Sequence, residues 1–87
     1  MRIPLGPCET ADLIGRFLHG KERYPQEWND FVEAGRVDAQ LEPYRKRCYE
    51  LDPLVNRPGD PDHGAMEELK CVMSELRELC NQGRKRD

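Results

Sequence analysis

The residues best suited to chemistry in this sequence are acidic and histidine side chains that gather within a short stretch. They are Asp60, Asp62, His63, Glu67 and Glu68. Carboxylate oxygens bind hard cations such as Ca²⁺ and Mg²⁺, and His63 and Glu67 would share one face of a helix. The sequence lacks the D-x-[DN]-x-[DN]-G spacing of a calcium loop and a second nearby histidine. Carboxylates are also common in the first turns of helices, because of the helix dipole. We therefore expect a helix start here and no bound metal.

Catalysis by an acid and a base is the second chemistry that this stretch suggests. Asp62 and His63 could exchange a proton with a substrate, but such a pair occurs in many proteins. The sequence contains no G-x-S-x-G nucleophile motif, no H-E-x-x-H metal motif and no phosphate-binding glycine loop. His19 lies near the end of a predicted helix, where a histidine opposes the dipole favourably. We predict a protein that is not an enzyme and that uses no cofactor.

Two basic runs make nucleic-acid binding the alternative function. The basic surface would comprise Arg45, Arg47, Arg84, Lys85 and Arg86. Three successive helical residues span about 200°, so residues 45 to 47 cannot form one flat patch. The formal net charge of -3 also argues against general affinity for phosphate backbones. We keep a small nucleic-acid-associated regulator as the alternative, without expecting nucleic acid to be the main partner.

The segment RYPQEWNDFV, residues 23 to 32, contains three aromatic rings among acids and amides. Trp28, Phe31 and Val32 recur at helical spacing and are expected to anchor a short helix in the core. Trp and Tyr are also enriched at binding hot spots, so a partner surface is the competing interpretation, with Tyr24 as the ring expected to be exposed. The candidate interaction surface comprises Tyr24, Glu27, Asn29, Asp30, Asp60, Asp62 and His63. Asp30 would be buried only if it were paired, for example with an arginine from another helix.

Four cysteines leave the redox state of the chain open. Cys8, Cys48, Cys71 and Cys80 include no C-x-x-C pair, and a structural zinc site normally contains one closely spaced pair of ligands. Cys71 and Cys80 would lie about 13 Å apart on one helix, too far for a disulfide with each other. Reduced structural thiols are the favoured interpretation, and a disulfide framework and a metal site are the alternatives.

The first part of the chain predicts an extended arm and two short amphipathic helices. The arm covers residues 1 to 8, which include two prolines and a glycine. Thr10 is expected to cap the first helix, and Gly20 provides a left-handed end for it. Pro25 fits the first turn of the second helix, which Gly35 ends.

The second part of the chain predicts two more helices. The third helix is expected to kink or restart at Pro43 and to stop at Pro53. A loop rich in proline and glycine follows. Asp60 then caps the longest helix, which runs to about Gln82, and residues 83 to 87 form a polar tail.

These elements predict a single all-α domain over residues 1 to 87. We expect a compact bundle of about four helices, in which the long C-terminal helix packs against three shorter ones. Apolar residues make up 37% and charged residues 36% of the chain, so its core must be small. No stretch of the sequence has the apolar length of a secretory signal or of a membrane span. We therefore expect a cytoplasmic protein without membrane contact.

Three short elements resemble those of a set of small helical bacterial proteins for which no activity is known. Phe17 to Gly20 match an F-x-x-G element, Glu27 to Phe31 an E-W-D-D-F element, and Arg45 to Cys48 an R-x-x-C element. Asn29 stands where the second element has an aspartate. The resemblance implies a helical fold. It does not indicate any activity or any catalytic residue. We expect a non-catalytic protein that binds another protein, such as an accessory or immunity-like protein beside a toxin or an enzyme, and that could form a homodimer.

Overall fold

Four helices make up most of the part of the chain that the structure describes. The structure is a computed structural model, and it describes residues 4–57 and 59–84, apart from the side chains of Ala34 and Arg84. The helices are α1 (Pro7–Leu18), α2 (Glu27–Ala34), α3 (Glu42–Val55) and α4 (His63–Arg84), with a short 3-10 turn at Ala39–Leu41 before α3. The long C-terminal helix packs against the others. The predicted all-α class is therefore confirmed.

Helix α1 begins earlier than expected, at Pro7, so the predicted arm over residues 1 to 8 is too long. Pro7 needs no backbone donor at the first helical position. The Gly6 N–H instead donates to the Glu9 carboxylate at 3.2 Å. Thr10 is not the cap, because its hydroxyl lies within the helix and donates to the Gly6 carbonyl at 2.8 Å. Leu5 pairs in parallel with Val37 in the linker after α2.

The chain leaves α1 through the left-handed glycine that was predicted. Gly20 has a φ of 67°. Its N–H donates to the Phe17 carbonyl at 3.2 Å, and the Lys21 N–H donates to the Arg16 carbonyl at 2.8 Å. This pair of bonds is the Schellman motif, and it turns Lys21 back over the last turn of α1.

Helix α3 restarts after the 3-10 turn, as expected at Pro43, but continues beyond Pro53 to Val55. The prediction that Pro53 stops this helix is therefore wrong. A proline here removes only the bond to the carbonyl of Tyr49. Both Pro53 and Tyr49 are exposed, so water can satisfy that carbonyl. The last hydrogen bond at the C-terminal end of α3 runs from the Asn56 N–H to the Asp52 carbonyl at 2.8 Å.

The capping residue of α4 is Asp62, not Asp60 as predicted. The Asp62 carboxylate accepts the N–H of Ala65 at 2.8 Å, and its carbonyl accepts the N–H of Met66 at 2.9 Å. This is the geometry of an N-cap residue and its third helical residue. The Asp62 N–H donates to the Leu54 carbonyl at 2.9 Å, which returns the loop to the end of α3.

The core lies where the predicted apolar faces of the helices meet. Its buried members are Ala11, Leu13, Ile14, Trp28, Phe31, Val32, Leu41, Cys48, Leu51, Val55, Ala65, Leu69, Val72 and Leu76. Contacts between α1 and α4, and between α2 and α3, show that both pairs of helices are antiparallel. The 22 residues of α4 extend over about 33 Å, enough to cover all of α1.

A disulfide joins the first turn of α1 to the end of α4. It links Cys8 and Cys80, whose Cα atoms lie 4.9 Å apart. The expectation of reduced thiols is wrong for this pair, because antiparallel packing brings together two cysteines that are far apart in sequence. Cys48 and Cys71 are free. Cys48 is buried, and desolvation raises the pKa of its thiol to about 12, so it is a protonated core residue, as expected.

Candidate interaction surface

The acidic residue at the start of α2, Glu27, is buried rather than presented to solvent. Its side chain is only 2% exposed. The carboxylate accepts bonds from Arg16 Nε at 3.1 Å and Nη2 at 2.8 Å. It also accepts bonds from the Arg23 N–H at 3.1 Å and Arg23 Nε at 2.9 Å. Glu27 therefore does not belong to the exposed candidate surface on which the sequence placed it.

The two arginines make the charge of Glu27 stable despite its burial. The hydrogen bond from Arg16 is the main cause that lowers the pKa of Glu27 from 4.5 to about 2, and the bonds from Arg23 add to it. Burial acts in the opposite direction. The same hydrogen bond raises the pKa of Arg16. A buried acid paired with an arginine of another helix, the condition set for burial of Asp30, occurs at Glu27 instead.

A signal for the burial of Glu27 was present in the sequence. Glu27 stands four positions before Phe31 and next to Trp28, so it lies on the apolar side of α2. A carboxylate on an apolar helix face requires a cationic partner. Arg16 lies in the last turn of the preceding helix and is the partner that the structure supplies.

Trp28 anchors α2 through ring packing and two hydrogen bonds. The side chain is 1% exposed, and its ring stacks on Phe17 with centroids 4.1 Å apart. Its indole Nε1–H donates to the Asp52 carboxylate of α3 at 2.6 Å. Its backbone N–H donates to Glu22 at 3.0 Å. The predicted anchoring role of Trp28 is therefore confirmed.

The opposite side of α2 forms an exposed face together with α3. We call it the α2–α3 face and define it by Asn29, Asp30, Glu33, Tyr49 and Asn56. The side-chain amide of Asn56 donates to Asn29 Oδ1 at 3.0 Å and bridges the two helices. Tyr49 is 57% exposed. This ring was not among the candidate residues from the sequence, although it stands one position after the buried Cys48 and so outside the apolar stripe of α3.

Tyr49 belongs to this face because of its position on α3. It lies four residues after Arg45 and three before Asp52, on one stripe of the helix. Arg45 donates to the Val32 carbonyl of α2 at 2.6 Å, and Asp52 accepts the bond from Trp28. The stripe therefore runs beside α2. Tyr24, which was expected to be exposed, is 46% exposed and lies before the start of α2.

The acidic residues and the histidine before and within the start of α4 are exposed or make contacts within the chain. Asp60 and His63 are exposed, and the Asp60 carbonyl accepts a bond from Arg57 Nε at 3.0 Å. The carboxylate of Asp62 caps α4. Glu68 pairs with Arg47 of α3. Over residues 4–57 and 59–84, no group of three potential metal ligands comes together.

The two arginines that α3 contributes to the alternative basic surface, Arg45 and Arg47, are engaged with carboxylates. Arg45 Nε donates to Glu42 at 2.8 Å, and its side chain is 17% exposed. Arg47 is bound by Glu50 and Glu68, whose hydrogen bonds raise its pKa. The predicted surface at 45 and 47 is therefore neutralised locally. The other members of that surface, the side chain of Arg84 together with Lys85 and Arg86, lie outside the described part of the chain.

A solvent-open groove lies between the end of α1 and the middle of α4. Its volume is about 250 Å³, and it is lined by Asp12, Gly15, Arg16, His19, Lys21 and Arg77. Arg16 lies between the groove and the buried Glu27. None of the four basic lining residues was among the candidate site residues from the sequence. Arg77 joins the three at the end of α1 only when α1 and α4 pack together.

Comparisons with known proteins identify no relative of this chain. No protein-family model matches the chain, and no curated protein or solved structure is significantly similar to it. Within the described ranges, no helix combines the length and the apolar character needed to cross a membrane.

Proposed function

We propose that this chain acts by binding another protein through the α2–α3 face, as a non-catalytic accessory or immunity-like protein. The observation that carries the proposal is an exposed Tyr49 ring beside the acidic side of a helix whose other side is fixed in the core. A tyrosine on a rigid element supplies contact area at a small entropic cost. The resemblance to small bacterial proteins names neither an activity nor a partner, so the proposal depends on the geometry of this face.

The perturbed ionisable groups support a structural rather than a catalytic role. Catalytic groups are often recognised by a shifted pKa in a cleft. Here the large shifts belong to Glu27, which is enclosed by two arginines, and to Cys48, which is enclosed by the core. Both shifts have a structural cause, and neither group is open to a substrate.

The charge of the α2–α3 face suggests a basic partner. Asp30 and Glu33 are exposed, and within the described residues neither takes part in an ion pair or a side-chain hydrogen bond. Asn29 and Asn56 add amide donors and acceptors at the same seam. A partner that presents lysine or arginine side chains around an apolar centre would complement this face.

The cellular location affects which partners are available. Cytoplasmic residence stays a prediction from the sequence. Disulfides persist mainly in oxidising compartments, so the Cys8–Cys80 disulfide argues against the cytosol. Counting free thiols in protein trapped with an alkylating reagent in its native cells tests this, because an oxidised chain contains two free thiols and a reduced chain four.

Photo-crosslinking in the native cell tests the proposed face. A benzoylphenylalanine placed at position 49 in the intact chain should crosslink to one protein, identified by mass spectrometry. The same probe at position 71, an exposed site on α4, is the matched control and should not capture that protein. The combined changes Asp30→Lys and Glu33→Lys should abolish the crosslink, whereas Glu75→Lys, at an exposed acid on α4, should preserve it.

Other crosslinking outcomes separate this proposal from its alternatives. A crosslink between two copies of the chain would show that the partner is a second copy. Light scattering would then confirm a homodimer. Nucleic acid captured in place of protein, or equal capture from positions 49 and 71, would overturn the proposal. Nucleic-acid binding is not proposed as a second function, because Arg45 and Arg47 bind carboxylates of the same chain.

A further inference from the structure

The structure assigns a second binding site to the groove between α1 and α4. We propose that this groove binds a compact oxyanion, a carboxylate or a phosphate group, independently of the α2–α3 face. The proposal rests on the sign of the charge around the groove, on side chains there that are not committed to other groups, and on the size and floor of the cavity.

The groove is locally cationic in a chain whose formal net charge is -3. Arg16, Lys21 and Arg77 line it together with His19, and in the described part of the chain Asp12 is the one acid that lines it. The charge of Arg16 is offset by Glu27. Lys21 and Arg77 still outnumber Asp12 by one charge, which exceeds the roughly half negative charge at the C-terminus of α1. The groove would therefore attract an anion to a protein that repels anions overall.

Several polar groups of the groove are not committed to partners among the residues that the structure describes. Within the described residues, the side chains of His19 and Lys21 take part in no hydrogen bond or ion pair. The nearest approach of Arg77 to Asp12 is 3.9 Å, which is too long for a hydrogen bond. Arg77 Nη2 otherwise lies 3.8 Å from the sulfur of Met73, a weak acceptor. An oxyanion would offer these donors better acceptors.

The size and the floor of the groove select a small ligand. A volume of about 250 Å³ lies below the roughly 300–1,000 Å³ of pockets for drug-sized molecules. Gly15 forms the floor, where a Cβ would lie 3.4 Å from Arg77 Nη2 and 3.6 Å from Met73 Sδ. Because this residue has no side chain, the space that one Cβ would fill beside these two atoms stays open. A single carboxylate or phosphate group fits a shallow cavity of this kind.

This groove is not a P-loop, although part of its sequence has a similar spacing. Residues 15 to 21 read G-x-x-x-x-G-K, but Glu22 stands where that motif has serine or threonine. Gly15 also lies inside α1, whereas a P-loop precedes its helix. The proposed ligand is therefore bound by side chains at a helix C-terminus and not by a nest of backbone N–H groups.

Titration by NMR tests the proposal with defined anions. Inorganic phosphate and acetate are added separately to ¹⁵N-labelled, disulfide-bonded protein at constant ionic strength, with chloride as the balancing anion. We expect saturable amide shifts confined to residues 12 to 21 and 73 to 77. Saturation by both anions would indicate a carboxylate-sized site, and saturation by phosphate alone would indicate a phosphate site. Either result supports the proposal.

Variants separate the site from general charge attraction. Lys21→Gln and Arg77→Gln should each weaken binding about fivefold, as expected for one exposed ionic contact. Gly15→Ala should weaken it without removing a charge, and alanine favours the helix more than glycine does. Lys70→Gln is the control, because Lys70 pairs with Glu67 at 3.6 Å and lies about 10 Å along α4 from Arg77. Absence of saturation with both anions, or equal binding by the wild type, Gly15→Ala and Arg77→Gln, would overturn the proposal.

Discussion

Replacing Glu27 by glutamine tests how α2 is held in place. The substitution keeps the shape of the side chain but removes the charge that four donor groups surround. Breaking one side of a buried ion pair costs about 3–5 kcal/mol. Arg16 is 27% exposed and Arg23 is 68% exposed, so water recovers part of that loss. We expect Glu27→Gln to lower the free energy of unfolding by about 2–3 kcal/mol at pH 7.

The pH dependence gives a second measure of the same interaction. The pKa of Glu27 falls from 4.5 in the unfolded chain to about 2 in the folded protein. A shift of this size corresponds to about 3 kcal/mol. Because the folded pKa is the lower one, the stabilisation is fully present above about pH 5 and is lost as the pH falls towards 2. Glutamine does not titrate, so the difference in stability between wild type and variant should shrink over this range.

Urea unfolding followed by the fluorescence of Trp28, the single tryptophan, measures both effects. The two proteins are compared at several pH values between 2 and 7. Glu33→Gln is the matched control, because Glu33 is an exposed acid of the same helix; it should change stability by less than about 0.5 kcal/mol. A Glu27→Gln variant as stable as the wild type at pH 7, or a difference that does not change with pH, would refute the reasoning.

Three further changes test other supports of the fold by urea unfolding, followed by far-UV circular dichroism because Trp28→Phe removes the single tryptophan. Removing the disulfide by Cys8→Ser with Cys80→Ser should cost about 4 kcal/mol, from the chain entropy of a crosslink that spans 72 residues; a loss below about 1 kcal/mol would contradict the crosslink. Trp28→Phe should cost about 2–3 kcal/mol through lost ring area and the lost indole hydrogen bond, and a stable variant that fails to bind a partner would reverse its assigned role. Asp62→Ala should cost about 1 kcal/mol as the loss of an N-cap, whereas Asp60→Ala should be nearly neutral, and equal effects would contradict the capping assignment.

Helical spacing predicted the core because burial follows the faces of helices. Trp28, Phe31 and Val32 recur at intervals of three and four and are all buried. The stripe of α4 through Leu69 and Leu76 is buried in the same way. These positions depend on local geometry, which can be derived without knowing how the helices are arranged.

The features that the sequence analysis missed depend on that arrangement. Cys8 and Cys80 are separated by 72 positions, and no local pattern pairs them. Helix α3 can continue through Pro53 because water can bind the Tyr49 carbonyl that loses its hydrogen bond. Asp60 and Asp62 are the same residue type and could each cap α4. The hydrogen bond from the Asp62 N–H to the Leu54 carbonyl places Asp62 at the start of the helix.

Arg16 connects the stability of α2 with the chemistry of the groove. Its guanidinium binds Glu27 on one side, while the same residue lines the groove on the other. In Glu27→Gln the charge of Arg16 is no longer offset. The variant should therefore lose stability and at the same time bind phosphate more tightly, because the net charge at the groove rises by one. A protein destabilised by a defect elsewhere, such as Asp62→Ala, would show no gain in phosphate binding. Opposite changes in stability and anion affinity thus distinguish the proposed role of Arg16 from a general loss of structure.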